Sequence, residues 1–181
     1  MRLENAFEVP ASPTDSWRLL NDVPAVVPCM PGAELVEVVG ENAWKAKLQV
    51  KLGPIGLSFL ADIVREQMDE AGGRVVLAVK AREAKGRGSA EATIESTLAP
   101  AAGGTRVDIA TELALRGVVA QYGRGVVGDV AARLTDQFAA CIAGKLADAP
   151  AEPPPASAKP IGGLRLVLGA LWRSLFRRPR T

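Results

Sequence analysis

The sequence predicts an α+β domain in which a curved antiparallel sheet of about seven strands wraps around a long C-terminal helix, with a short helical pair after the first strand. Three observations carry this. Apolar and polar residues alternate with period two from residue 33 onward, turn signals separate the alternating runs, and a helix-period apolar stripe closes the body of the chain.

The elements follow in order. After an N-terminal strand, Ser12 followed by Pro13 and Asp15 has the form of a helix N-cap with proline at the first helical position, opening a helix through Leu20. Prolines at 24 and 28 make Val23–Cys29 a short irregular turn or helix. Trp44, Ala46, Leu48, Val50 and Leu52 then alternate with Lys45, Lys47, Gln49 and Lys51, the pattern of a strand with one wet face. Similar runs occupy Leu57–Val64, Arg74–Arg82, Ser89–Leu98 and Arg106–Leu115. They are separated by GPIG (53–56), EAGG (70–73), KGRG (85–88) and AAGG (101–104), so an antiparallel meander is expected.

From Val118 to Leu146, apolar residues at 119, 122, 126, 130, 134, 138, 141 and 142 form the stripe of a helix beginning near residue 118. Such a stripe must be buried, and the inner face of the sheet is the apolar surface large enough to do it. Side chains that leave the space between them unfilled create a ligand cavity there. Gly123, Gly125 and Gly128 sit in the first half of this helix, each at a cost of about 1 kcal/mol relative to alanine. A ligand approaching the backbone, a hinge, or close packing on the sheet would each account for them.

The body, residues 1–148, is expected to be one domain. Residues 149–160 form a linker rich in proline and alanine, and 161–181 a separate apolar-basic tail. Charge follows the same division, with a balance of −3 over 1–150 and +5 over 151–181. On a helical projection Leu164, Leu168, Leu171, Trp172, Leu175 and Phe176 share one side, with Arg173 and Arg177 opposite and Arg178 following. The apolar run 161–176 contains two arginines and falls short of the roughly 20 residues needed to span a bilayer, so an interfacial, membrane-binding segment is expected. A helix packed on the body and a nucleic-acid-binding tail are the alternatives; the wide apolar content argues against nucleic acid. The opening MRLENAFEVP has no apolar signal segment, which places the expected attachment on the cytoplasmic face of the inner membrane, peripherally. Cys29 and Cys141, without CxxC spacing, are expected to be buried free thiols.

The chain has no histidine, which removes the catalytic triads and the common zinc and non-haem iron ligand sets, and no metal site is expected. It carries no P-loop and no dinucleotide fingerprint. Asp62, Glu66, Glu91, Glu95, Asp108 and Glu112 mostly alternate with apolar residues and so point outward, leaving no catalytic carboxylate singled out. The KGRG turn reads as a hairpin.

CMPG (29–32), KLGPIGLSF (51–59), AKGRGSA (84–90), GGTRV (103–107) and AQYGRGVVGDVAARLTDQFA (120–139), in this order and spacing, resemble the carbon monoxide dehydrogenase G-subunit (CoxG) family of the helix-grip superfamily, which includes START-related lipid-binding and polyketide-cyclase proteins. The resemblance covers 1–147. It implies a non-catalytic accessory protein of a carbon monoxide dehydrogenase-type molybdenum hydroxylase, without tightly bound cofactors of its own. It also implies a cavity lined by Trp44, Leu48, Phe59, Leu77, Ile94, Tyr122, Gly125 and Val126, with Met30 and Pro31 at its rim. Together with the apolar-basic tail, this gives the expectation of a quinone ligand, menaquinone or ubiquinone, linking the hydroxylase to the respiratory membrane. A recruitment or assembly adaptor without quinone, and an aromatase/cyclase-like enzyme, are the alternatives.

Overall fold

A computed structural model of the protein describes residues 1–52 and 55–148. The linker 149–160 and the tail 161–181, with the membrane-binding residues expected there, lie outside the described residues. Seven strands form one antiparallel sheet: β1 (Arg2–Val9), β2 (Ala33–Gly40), β3 (Ala43–Leu52), β4 (Ile55–Asp69), β5 (Arg74–Glu83), β6 (Gly88–Ala101) and β7 (Gly104–Gly117). Their spatial order is β1-β7-β6-β5-β4-β3-β2, a meander whose first strand pairs with the last. Helices α1 (Pro13–Leu20) and α2 (Val23–Val26) follow β1, a 3-10 turn runs Val27–Cys29, and α3 (Arg124–Asp148) ends the described chain. This is the helix-grip architecture expected from the sequence.

Local chemistry explains the boundaries. Ser12 accepts a hydrogen bond from the Asp15 amide at 3.1 Å and caps α1, and Asp22 caps α2 in the same way through the Ala25 amide. Strand β4 runs past the expected end at Val64, because a bulge between Arg65 and Gln67 absorbs the irregularity and lets pairing with β5 continue to Asp69. The helix begins later than the stripe predicts. Val118–Gln121 is a separate 3-10 turn, Tyr122 is extended, and α3 starts at Arg124. Gly123, which costs a helix more than any residue except proline, stands at this break.

The pleat points the expected residues inward. Trp44, Ala46, Leu57, Phe59 and Ala61 are buried, while Lys45 is exposed and pairs with Glu37 on the neighbouring strand. The core is nonetheless divided along the sheet. At the β1 end, Val9, Val26, Cys29 and Ile142 form one cluster with Phe7 and Phe138 packed against it, the two rings meeting edge-on at 6.0 Å. At the β3–β4 end, Leu57, Phe59 and Val119 form another, flanked by Leu48, Tyr122 and Val130. The only fully buried residue that α3 contributes is Ile142, in its last two turns. The helix is therefore anchored by its C-terminal half.

The two cysteines correct the sequence reading. They are joined as a disulfide, Cys29 at the end of the 3-10 turn and Cys141 on α3, with Cα atoms 5.4 Å apart across 112 residues of chain. The free-thiol expectation rested on the lack of close spacing, and spacing carries no information about two segments brought together by the packing of α3 on the turn after α2. The glycine argument also changes. Beyond its chain neighbours and the helix's own backbone, a Cβ at Gly123, Gly125 or Gly128 would meet no atom within 4 Å, so close packing on the sheet does not require these glycines.

Two outcomes follow. Replacing Gly128 by alanine should raise the stability of the folded domain by about 0.5–1 kcal/mol, read from chemical denaturation, because the helix gains propensity and nothing is crowded. Replacing both Cys29 and Cys141 by serine, or reducing the bridge, should lower stability by roughly 2–4 kcal/mol in the same assay.

Candidate functional site: a cavity under the free half of the long helix

Because α3 is anchored late, its earlier turns stand over the far end of the sheet without filling the space beneath. The result is a cavity of about 660 Å³, open on one side and within the size range of small-molecule sites. Val130, Arg133, Leu134 and Gln137 of α3 form one wall. The opposite wall is the β3–β4 hairpin, from Gln49, Val50 and Lys51 on one strand to Leu57 and Ser58 on the other. Pro31 and Gly32 close one end and the β5–β6 turn, residues 83–87, the other. Gly32 is required there. Its φ is +78°, and a Cβ would collide with the Gln49 carbonyl.

The β5–β6 turn supplies the principal polar group. Glu83, the last residue of β5, is buried, with its side chain only 1% exposed. Its carboxylate accepts hydrogen bonds from the amides of Lys85 (2.8 Å) and Arg87 (3.1 Å) and from Arg87 Nη2 (2.8 Å). The Arg87 side chain, followed by these backbone donors, holds the carboxyl at about 2, well below its usual 4.5, against the opposing effect of burial. Arg87 Nη2 also donates to the Gly56 carbonyl at 3.2 Å, tying the β5–β6 turn to the start of β4. KGRG is thus a hairpin turn, as read from the sequence, and it is built around an acid that lies two residues before it. A carboxylate with this many donors stays ionised near neutral pH and is poorly suited to proton transfer.

Around this pair the lining is basic. Lys51, Lys85 and Arg133 are exposed cations that make no ion pair among the described residues. Leu57, Val130 and Leu134 supply the apolar surface between them.

None of the nine ligand-binding residues expected from the sequence lies in this lining, although Pro31, expected at the rim, does. Leu48, Phe59 and Tyr122 come closest, packed in the cluster that Leu57 and Val130 share with the cavity. Trp44 is buried at the other end of β3, against Val23 of α2 and Val27 of the 3-10 turn, with the Arg65 guanidinium 5.0 Å from its ring centre. Leu77 packs toward the cluster of Trp17, Val75, Leu98 and Val107, and Ile94 stands opposite it on β6. Met30 is half-buried beside Pro31. Gly125 is exposed and Val126 is 45% exposed, both preceding the helix turn that meets the cavity. The cationic residues and Glu83 were missed; the spacing of an acid four residues before an arginine across a glycine turn was their one signal in the sequence. Of the acids judged outward-facing, Asp62, Glu66, Glu91, Asp108 and Glu112 are exposed, and Glu95 is half-buried and bound by Arg74 at 2.7 Å.

A family model for the G component of carbon monoxide dehydrogenase, CoxG, matches residues 6–147, nearly the whole described domain. The chain belongs to the CoxG family. Solved structures share its fold. A conserved protein from Geobacillus kaustophilus is 23% identical, with a TM-score of 0.72 over 81% of this chain and 95% of its own. An aromatase/cyclase from a Streptomyces species is 14% identical, with a TM-score of 0.59 over 81% of this chain and 93% of its own. A protein from Rhodobacter sphaeroides is 19% identical, with a TM-score of 0.59 over 82% of this chain and 93% of its own. No curated protein matches the sequence. In this member of the CoxG family, no described helix is long and apolar enough to cross a membrane, and no group of three or more potential metal-ligating side chains occurs among the described residues.

Replacing Glu83 by glutamine should destabilise the domain at neutral pH. The carboxyl is depressed in the folded state, so its stabilising effect is complete above about 4.5 and is lost as pH falls toward 2. The difference in melting temperature between wild type and Glu83→Gln should therefore narrow over that interval, and a constant difference would show that the charge of Glu83 is not what holds the turn.

Proposed function

We propose that this protein is a non-catalytic accessory component of a carbon monoxide dehydrogenase-type molybdenum hydroxylase, and that it carries a quinone or related lipid in the cavity between α3 and the sheet. The observation that carries this reading is the cavity itself, open on one side and partly apolar, in a chain of this family. The tail 161–181, with its apolar side and arginines, would attach the protein peripherally to the membrane, where quinone is dissolved. The quinone supplies electron-accepting chemistry. The residues of this chain bind and shield it, with Leu57, Val130 and Leu134 against its apolar part and the polar side chains of the lining against its carbonyls. An aromatase/cyclase-like activity finds less support, since the buried acid of the site is held ionised by Arg87 and two backbone amides.

Mass spectrometry of the lipids extracted from full-length protein, purified from native membranes, tests the proposal. A menaquinone or ubiquinone should be retained, and Leu134→Trp, which fills the cavity from the helix side, should reduce its amount at least about tenfold while the fold is kept. Protein that binds the hydroxylase but retains no quinone would establish the adaptor role instead. Deleting 151–181 should abolish sedimentation with anionic vesicles and leave the domain folded.

A further inference from the structure

The polar side of the cavity is more basic than a neutral ligand requires. Lys51, Lys85, Arg87 and Arg133 line it, against one acid, Glu83. Arg87 and Glu83 neutralise each other at 2.8 Å. The other three cations are left without an ion-pair partner among the described residues, and they come from separate elements: the end of β3, the β5–β6 turn and α3. Asp129 and Asp136, the acids nearest in sequence to Arg133 on α3, do not line the cavity. Three cations from separate elements thus line one opening with a single, already paired acid among them, a charge balance that attracts an anion. The apolar residues beside them, Leu57, Val130 and Leu134, would meanwhile receive a hydrocarbon chain.

We propose that the cavity recognises amphiphiles with a negatively charged head, a carboxylate or a phosphate, held by Lys51, Lys85 and Arg133 with the chain directed between α3 and the β3–β4 hairpin. This rests on the reading of the cavity as a lipid site and adds a ligand class to it. Such an amphiphile and a quinone would occupy overlapping space and compete.

The test uses the full-length protein and cis-parinaric acid, a fluorescent fatty acid, with its uncharged methyl ester as the control. The acid should bind roughly tenfold more tightly than the ester, as expected for three partly exposed charge contacts acting together. The preference should shrink at high salt and disappear in the K51Q/K85Q/R133Q variant, whose melting temperature should match wild type because all three side chains are exposed. Lysophosphatidic acid should displace the probe, whereas inorganic phosphate at the same concentration should not. Displacement by phosphate alone would reduce the site to a simple anion site and overturn the proposal. Equal binding of acid and ester would overturn the anionic preference while leaving the lipid cavity intact. An acid preference unchanged in the triple variant would place the anion elsewhere, on the basic tail, and also overturn it. If neither probe binds, the cavity reading itself fails.

Discussion

The structure depends on how α3 is fastened. Its last turns are locked onto β1 and the segment after α2 through Ile142, which is completely buried, through the edge-on contact of Phe138 with Phe7, and through the Cys29–Cys141 bridge. Apolar burial and a covalent link therefore act at the same end of the helix. The earlier turns have no comparable anchor, and Val130 and Leu134 share with Leu57 the lining of unfilled space. A helix held along its whole length would leave no cavity. One held at neither end would not close the sheet.

The bridge also connects two walls of the site. Cys29 lies two residues before Pro31, and Cys141 lies one turn beyond Gln137, and both of those neighbours line the cavity. The opposite end is set by polar contacts. Glu83 collects two amides and the Arg87 guanidinium, and Arg87 reaches on to the Gly56 carbonyl, so the β5–β6 turn and the start of β4 are held together. A buried carboxylate costs free energy unless its donors are in place, and here they all come from within five residues. This local supply makes the turn a stable platform that carries Lys85, one of the cations lining the cavity.

Shared fold and shared chemistry separate clearly in this family member. The aromatase/cyclase with the same fold shows that the helix-grip scaffold accommodates an enzyme, but fold alone assigns no reaction. This cavity combines an internally neutralised ion pair, cations without partners among the described residues and a modest apolar wall. That combination supports the proposed binding of an amphiphilic molecule over proton transfer.

The strands were legible in the sequence because a period of two survives any packing: Trp44, Ala46 and Phe59 had to share a face, and Lys45 had to leave it. The turns were legible because glycine pairs and prolines restrict the backbone locally, and the capping residues Ser12 and Asp22 act within three residues of themselves. The position of the cavity was not. An inward-facing residue becomes core or lining according to whether the helix above it is pressed down, and that is decided at Ile142 and Cys141, far along the chain from Leu48 and Tyr122. Phe59 consequently became core with Leu48 half-buried against it, Val126 became surface, and the lining fell to residues 49–51 and 56–58 near the hairpin end. The sequence by itself determined the order of elements, the faces of the strands and the family, because these rest on local periodicity and motif spacing. Only tertiary structure decided the disulfide, the burial of Glu83 and the position of the cavity, because each requires segments remote in sequence to meet in space.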